Sequence, residues 1–338
     1  MRIALVFAAA LFIAVPASAQ TDLGDAIRAI AGHAGELARA EARQARTFKA
    51  EKTDRETKIV TIGSSGTLDL ATHSGDITVT AGGGRDATIE IIRRSRGRTD
   101  ADVQQGLDQV KVTVDQRPDR ARVRAAYPDR QATTYSVDVS YVVTAPPGTH
   151  VTAETISGNV TVKGIRGDVT ADITSGRLDV TGSRVSQVKT IAGDVTLTDV
   201  ETEGSLDVRT VSGSVTLQNV KARRLTADAV ANGDVTARNV VCDAATLKTL
   251  SGDVDFSGPL SKNGRYELGA FSGTVHFAPA GPAGFELQAS TFSGDIRTDK
   301  SMTLRDVSMA RRSLRGTFGD GGAIVILKTF SGDVTIGK

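Results

Sequence analysis

The chain has 338 residues, with 41 Lys and Arg against 39 Asp and Glu, a net charge of +2, 4% aromatic residues, no Trp and one cysteine. So even a charge balance gives no electrostatic case for nucleic acid, whose binding needs clustered positive charge. A lone cysteine rules out an internal disulfide framework.

Residues 1–19 read as an export signal: Arg2 as the charged start, Ile3 to Val15 as the apolar stretch, and Ala17-Ser18-Ala19 as the small-residue cleavage site. The apolar run is too short for a bilayer span, and no later stretch of sequence is long and apolar enough to be a transmembrane segment. The expected location is outside the cytoplasm, in the periplasm or at the cell surface. Residues 20–57 read as an arm. Leu23, Ile27, Ile30 and Leu37 fall at helical spacing in an Ala- and Arg-rich background, followed by a charged linker through Glu51-Lys52-Thr53-Asp54-Arg55-Glu56.

Residues 58–146 read as a β-rich cap. Strands are predicted at Lys58–Ile62, Thr67–Ala71, Ile77–Thr80, Ala87–Arg94, Val110–Asp115, Arg122–Ala126 and Ser136–Thr144, with a short helix at Thr99–Leu107. The basic run Arg93 to Arg98 reads as a solvated strand end. Pro146-Pro147-Gly148 then leads into residues 147–338, which repeat.

Lys189-Thr190-Ile191-Ala192-Gly193-Asp194-Val195 returns as Arg209-Thr210-Val211-Ser212-Gly213-Ser214-Val215 and as Lys248-Thr249-Leu250-Ser251-Gly252-Asp253-Val254. Gly193, Gly213, Gly233 and Gly252 are 20, 20 and 19 residues apart, and Gly252, Gly273 and Gly294 are each 21 apart. Gly294 to Gly332 is 38, which fits two coils with one degenerate turn; Gly158, Gly167 and Gly176 are 9 apart, which gives a half-coil. A fixed period of this size means stacked copies of one small unit. Within each copy apolar, mostly β-branched residues alternate with polar ones, as in Val160, Val162, Val169, Ala171, Val195 and Leu197, so the unit is strand, Gly turn, strand. The expected fold is all-β: a right-handed parallel β-solenoid with coils of about 20 residues and a short N-terminal helical arm. The turn positions are Gly158, Gly167, Gly176, Gly193, Gly213, Gly233, Gly252, Gly273, Gly294 and Gly332. The residues before Ser-Gly, namely Ile156, Ile191, Val211, Leu250, Phe271, Phe292 and Phe330, are expected to stack in the core beside a ladder of threonines.

No constellation points to catalysis. His33, His73, His150 and His276 are isolated, with no metal-ligand spacing among them. Asp168, Asp194, Asp234, Asp253, Asp295 and Asp333 could form a carboxylate row, but the equivalent positions Asn159, Arg177, Ser214 and Thr274 break it, and a ladder of like charges is destabilising. Cys242 follows Val240-Val241 and reads as strand core, with no neighbouring base to activate it. Gly319-Asp320-Gly321-Gly322 lacks the Lys-Ser/Thr of a phosphate loop and reads as a turn. Arg166-Gly167-Asp168 spells an attachment tripeptide, but its Gly-Asp is the repeat's own turn. No cofactor, metal or catalytic residue is expected.

The leader, Ser74-Gly75-Asp76-Ile77-Thr78-Val79, Gly97-Arg98-Thr99-Asp100, Thr144-Ala145-Pro146-Pro147-Gly148 and the Ser-Gly-Asp-Val copies together resemble the bacterial family called domain of unknown function 4097, the candidate adhesins, over residues 50–338. The resemblance implies an exported β-helical protein and supplies no catalytic residues. The expected function is a non-enzymatic envelope protein whose long regular side binds another macromolecule, a glycan or an envelope protein, through residues such as Lys163, Arg209, Arg238 and Lys248. The alternatives are a polysaccharide-active β-helix enzyme and an accessory to envelope-stress signalling that docks through the arm.

Overall fold

The computed structural model describes residues 48–128, 133–299, 304–310 and 312–337. The expected leader at 1–19 and the helical part of the arm lie outside these residues. Between Gln44 and Lys338 the chain is one compact unit. It opens with β1 (Ala50–Thr61), β2 (Thr67–Ser74), β3 (Ile77–Ala81), β4 (Asp86–Gly97), α1 (Asp100–Gln109), β5 (Lys111–Arg117), β6 (Arg120–Ala126) and β7 (Tyr135–Ala145). Long and short strands then alternate: β8 (His150–Ser157), β9 (Val160–Lys163), β10 (Asp168–Ser175), β11 (Leu178–Thr181), β12 (Arg184–Ala192), β13 (Val195–Thr198), β14 (Ser205–Ser212), β15 (Val215–Gln218), β16 (Arg224–Asn232), β17 (Val235–Arg238) and β18 (Cys242–Ser251). β19 (Val254–Ser272), β20 (Val275–Ala280), β21 (Phe285–Ser293), β22 (Ile296–Thr298), β23 (Leu304–Ala310), β24 (Ser313–Phe318), β25 (Ala323–Ser331) and β26 (Val334–Ile336) complete the chain.

The fold is all-β and solenoid-like. Long strands pair with long and short with short, in parallel, so that Val195 stands beside Val215 and Val215 beside Val235. The long-strand sheet runs β6, β2, β8, β10, β12, β14, β16, β18, β19, β25, β21. The short-strand sheet runs β7, β3, β9, β11, β13, β15, β17, β19, β20, β26, β22. The period-two pattern explains the core between them. In β14, Leu206, Val208 and Thr210 are buried, and in β15, Val215 and Leu217 are.

Between each long strand and the next short one lies a corner built on glycine. Gly213 has φ of 137°, and a Cβ there would fall 2.2 Å from the carbonyl oxygen of Gly193. The same column holds Gly158, Gly176, Gly193, Gly233, Gly252, Gly273, Gly332 and Gly294 in stacking order. Gly167 is not in it. A Cβ on Gly167 would meet Thr149, at the opposite corner before β10, so equal spacing in sequence does not mean an equivalent turn.

Two expectations about the ends are corrected. The charged run Glu51–Glu56 is not a linker but part of β1, which pairs antiparallel with β4 at the outer edge of the sheet. Alternating acids and bases suit an edge strand, since they discourage pairing with another chain. Nor does the 38-residue gap from Gly294 to Gly332 hold a degenerate coil. β24 pairs antiparallel with β21 and β23 antiparallel with β24, and the chain then returns to insert β25 between β19 and β21, and β26 between β20 and β22. The last strands in sequence are therefore next to last in the stack. Near the N-terminus, α1 carries a Thr99–Asp102 capping box and covers Ser95, whose hydroxyl donates to the Val103 carbonyl. The basic run lies at the end of β4, where Arg94 and Arg98 are exposed as expected, while Arg93 and Arg96 are half-buried and pair with Asp54 and Asp138.

Candidate functional site

The expected core ladder is on the outside. Leu250, Phe271, Phe330 and Phe292 are 40%, 38%, 46% and 61% exposed; Ile156 is exposed too, and Ile191 and Val211 are half-buried. Alternation is the cause. Counting from buried Val208, the next inward position is Thr210, so Val211 faces out. The threonines occupy the core instead, because their hydroxyls satisfy the corner carbonyls: Thr210 donates to Gly193, Thr249 to Gly233, Thr329 to Gly273 and Thr291 to Gly332, at 2.8–3.2 Å. A corner that needs a donor from inside overrides the preference for an apolar side chain there.

The outward ladder forms a continuous stripe along the outer face of the long-strand sheet. Toward the C-terminal end it reads Val230, Leu250, Phe271, Phe330, Phe292. Phe271 and Phe330 have centroids 4.8 Å apart and an interplanar angle of 1°; Phe292 and Phe330 are 4.7 Å apart at 4°. Parallel strands fix that spacing, and the rings follow it. The Arg312 guanidinium lies 5.6 Å from the Phe292 centroid and covers its free face. The ring faces are thus spent on one another and on Arg312, and the stripe shows solvent mainly its ring edges. A sugar that packs on an aromatic residue needs an open ring face.

Lys248, Gly269, Lys328 and Ser290 form the outward row on one side of the stripe. On the other side lies the corner column of Asp234, Asp253, Asp333 and Asp295. Each of three carboxylates in the column accepts an amide of the next coil: Asp234 from Asp253, Asp253 from Thr274, and Asp333 from Asp295, at 2.7–2.9 Å. Asp194 accepts from Ser214, and Asn159 from Arg177. This explains why Asp, Asn or Ser follows the glycine: the side chain satisfies the neighbouring coil's turn amide. Asp168 stands outside the column, its amide bonded to His150 Nδ1.

The four basic residues singled out from the sequence do not form one site. Lys163 and Arg238 end strands of the short-strand sheet, whereas Arg209 and Lys248 lie on the long-strand sheet. Arg209 is 3.0 Å from Asp207 and 3.9 Å from Asp228, and Lys248 is 3.6 Å from Glu267. Burial raises the Asp228 carboxyl above its ordinary range. On the outer face of the short-strand sheet a shallow groove of about 550 Å³ is lined by Thr78, Thr161, Arg177, Asp179 and Asp194, a polar surface that sequence reasoning missed because its members come from separate coils. Cys242 is buried, and that burial pushes its thiol up to about 12, the opposite of activation. Among the described residues no three of His, Cys, Asp and Glu are placed to hold a metal ion, and no helix is long and apolar enough to cross a membrane.

No curated protein matches the chain. Among solved structures, a candidate adhesin from Bacteroides fragilis is 13% identical, with 84% of this chain and 97% of that one covered and a TM-score of 0.38. A candidate adhesin from Parabacteroides merdae is 10% identical, with 84% and 97% covered and a TM-score of 0.35. A candidate cell adhesion protein from Clostridium sporogenes is 10% identical, with 84% and 99% covered and a TM-score of 0.23. The profile of the Toastrack family, DUF4097, matches residues 66–337, and the chain belongs to that family.

Proposed function

We propose that the protein is an exported, non-enzymatic binding protein of the bacterial envelope: an adhesin-like, right-handed solenoid of about 20 residues per coil that engages a macromolecular partner along the outer face of its long-strand sheet. The observation that carries this is the apolar stripe Val230, Leu250, Phe271, Phe330 and Phe292, held in the open on a molecule whose two sheets already enclose a complete core. Contiguous exposed apolar surface on a folded protein marks an interaction site. The leader read in the sequence supports export, and the usual hand of parallel crossovers supports the right-handed coil.

The test is fractionation of cells expressing the protein, followed by binding of the purified chain to the envelope fraction. Phe330→Ser with Phe292→Ser is expected to lower binding at least tenfold and to leave the fold unchanged. Equal binding by that variant would remove the reading. A second reading, glycan binding at the groove of the short-strand sheet, is favoured by its hydroxyl, carboxylate and guanidinium lining. On that reading a glycan screen would respond to Asp179→Asn and ignore the phenylalanines.

A further inference from the structure

We infer that the apolar stripe mates with the same stripe of a second copy, in a dimer whose two-fold axis runs parallel to the stripe. This rests on the reading of the stripe as a contact surface and names its partner. The ring edges call for an apolar surface, and the charges beside them select which one. Lys248 and Lys328 lie on one side of the stripe, with Asp228 at the Val230 end of that row and Glu267 3.6 Å from Lys248; Asp253 and Asp333 lie on the other, with Arg297 3.3 Å from Asp333. Lys248 shares a coil with Asp253, as Lys328 does with Asp333.

Two such faces can be laid together about a two-fold axis in only two directions. An axis across the stripe sets the lysine row against the partner's lysine row. An axis along the stripe sets each lysine row against the partner's aspartate row, at the same height. It also sets Leu250, Phe271, Phe330 and Phe292 against their own counterparts. Like charges placed face to face cost free energy and opposite ones guide association, so the second arrangement is the one selected. It is isologous, as a closed dimer requires.

The stripe bears no charge along its own line from Val230 to Phe292, and Gly269 and Ser290 leave hollows beside the rings. Five coils at about 4.8 Å each give a patch on the order of 20 Å long. With the flanking rows, two such patches bury about 800 Å² in all, below the range of permanent interfaces. An area this small suits only a weak, transient contact, and area alone sets no affinity.

Sedimentation velocity of the purified protein from about 1 to 100 μM tests this. The expected result is a monomer–dimer equilibrium in that range, weakened at least tenfold by Phe330→Ser. Lys248→Glu and Asp253→Lys should each weaken it. The two together should restore it, because the carboxylate placed at position 248 then faces the ammonium placed at position 253 of the other copy. Circular dichroism melts check that each variant is folded. A wild-type monomer throughout, a dimer indifferent to Phe330→Ser, or a double charge reversal no better than either single change would each overturn the inference. If the wild type stays monomeric while Phe330→Ser still lowers envelope binding, self-association fails and the binding reading stands. If Phe330→Ser changes neither, both fail.

Discussion

Phe271 and Phe330 lie far apart in the chain, yet their rings are stacked with centroids 4.8 Å apart and planes within 1°. The stacking follows from strand order. Ser272 pairs with Ser331, and Ser331 with Ser293, so the C-terminal strands separate two coils that are adjacent in sequence. Removing residues 323–338 should therefore open a gap inside the stack instead of trimming its end. Val325, Leu327, Val334 and Ile336 are fully buried. At about 1.5–3 kcal/mol each, their loss costs on the order of 6–12 kcal/mol as an upper bound. Hydrogen exchange should show β21 and the second half of β19 both losing protection in the truncated chain. Protection retained in β21 would mean that it packs on β19 unaided.

The corner column makes a sharp stability prediction. At Gly213 a Cβ would lie 2.2 Å from a backbone oxygen, with φ at 137°. At Gly204 nothing lies within 4 Å and φ is not in the left-handed region. Gly213→Ala should cost at least about 1–3 kcal/mol from backbone strain alone, because the obstructing atom is main chain and cannot swing away. Gly204→Ala should fall within about 0.5 kcal/mol of wild type. Urea unfolding midpoints of the two variants give the comparison.

How much was legible follows from range. The alternation in Val195, Leu197, Val215 and Leu217 and the column of glycines are properties of a few consecutive residues, and they locate the strands and corners. The side on which Val211 falls needed only strict counting from Val208. An apolar residue beside a threonine nonetheless suggests the wrong one as buried, because the demand of the Gly193 carbonyl for a donor is invisible in sequence. The insertion of β25 was not legible at all. Copies that share one signature can stack in any order, and nothing local distinguishes Ser331-Gly332-Asp333 from Ser293-Gly294-Asp295. The polar groove was hidden for the same reason, since Asp179 and Thr78 meet only through the stack.

Cys242 and Tyr266 predict an alkaline limit to stability. The Tyr266 hydroxyl donates to the Cys242 carbonyl at 2.6 Å. Burial lifts the thiol from 9.0 to about 12 and, as the largest influence on it, the phenol from 10.0 to about 12. Both groups are held in their neutral forms by the fold. Their contribution is therefore complete below the ordinary values and is lost as pH rises through the window from about 9 to 12, where the unfolded chain gives up protons that the folded one keeps. Urea midpoints should stay level up to about pH 8 and decline above about pH 9, less steeply in Cys242→Ala. Ellman's reagent at about pH 8 should leave the folded thiol unmodified and react with it only on unfolding. Rapid reaction with the native protein would contradict its burial.

The neighbours Thr249 and Leu250 test the parity of the whole long-strand sheet. Thr249 is buried and its hydroxyl donates to Gly233 at 2.8 Å, whereas Leu250 is 40% exposed. Thr249→Val keeps the shape and removes the bond, so it should cost about 1 kcal/mol. Leu250→Ser removes a larger apolar group, but from the outer face where it is already 40% exposed, and should cost under about 0.5 kcal/mol. Thr190 sharpens the comparison. It occupies the same buried row, but its hydroxyl has no hydrogen-bond partner among the described residues. Thr190→Val should therefore be neutral or stabilising, since it removes an unmet polar group from the interior. The opposite ranking, with Leu250→Ser the most damaging of the three, would put the apolar ladder inside after all and would turn every long strand over.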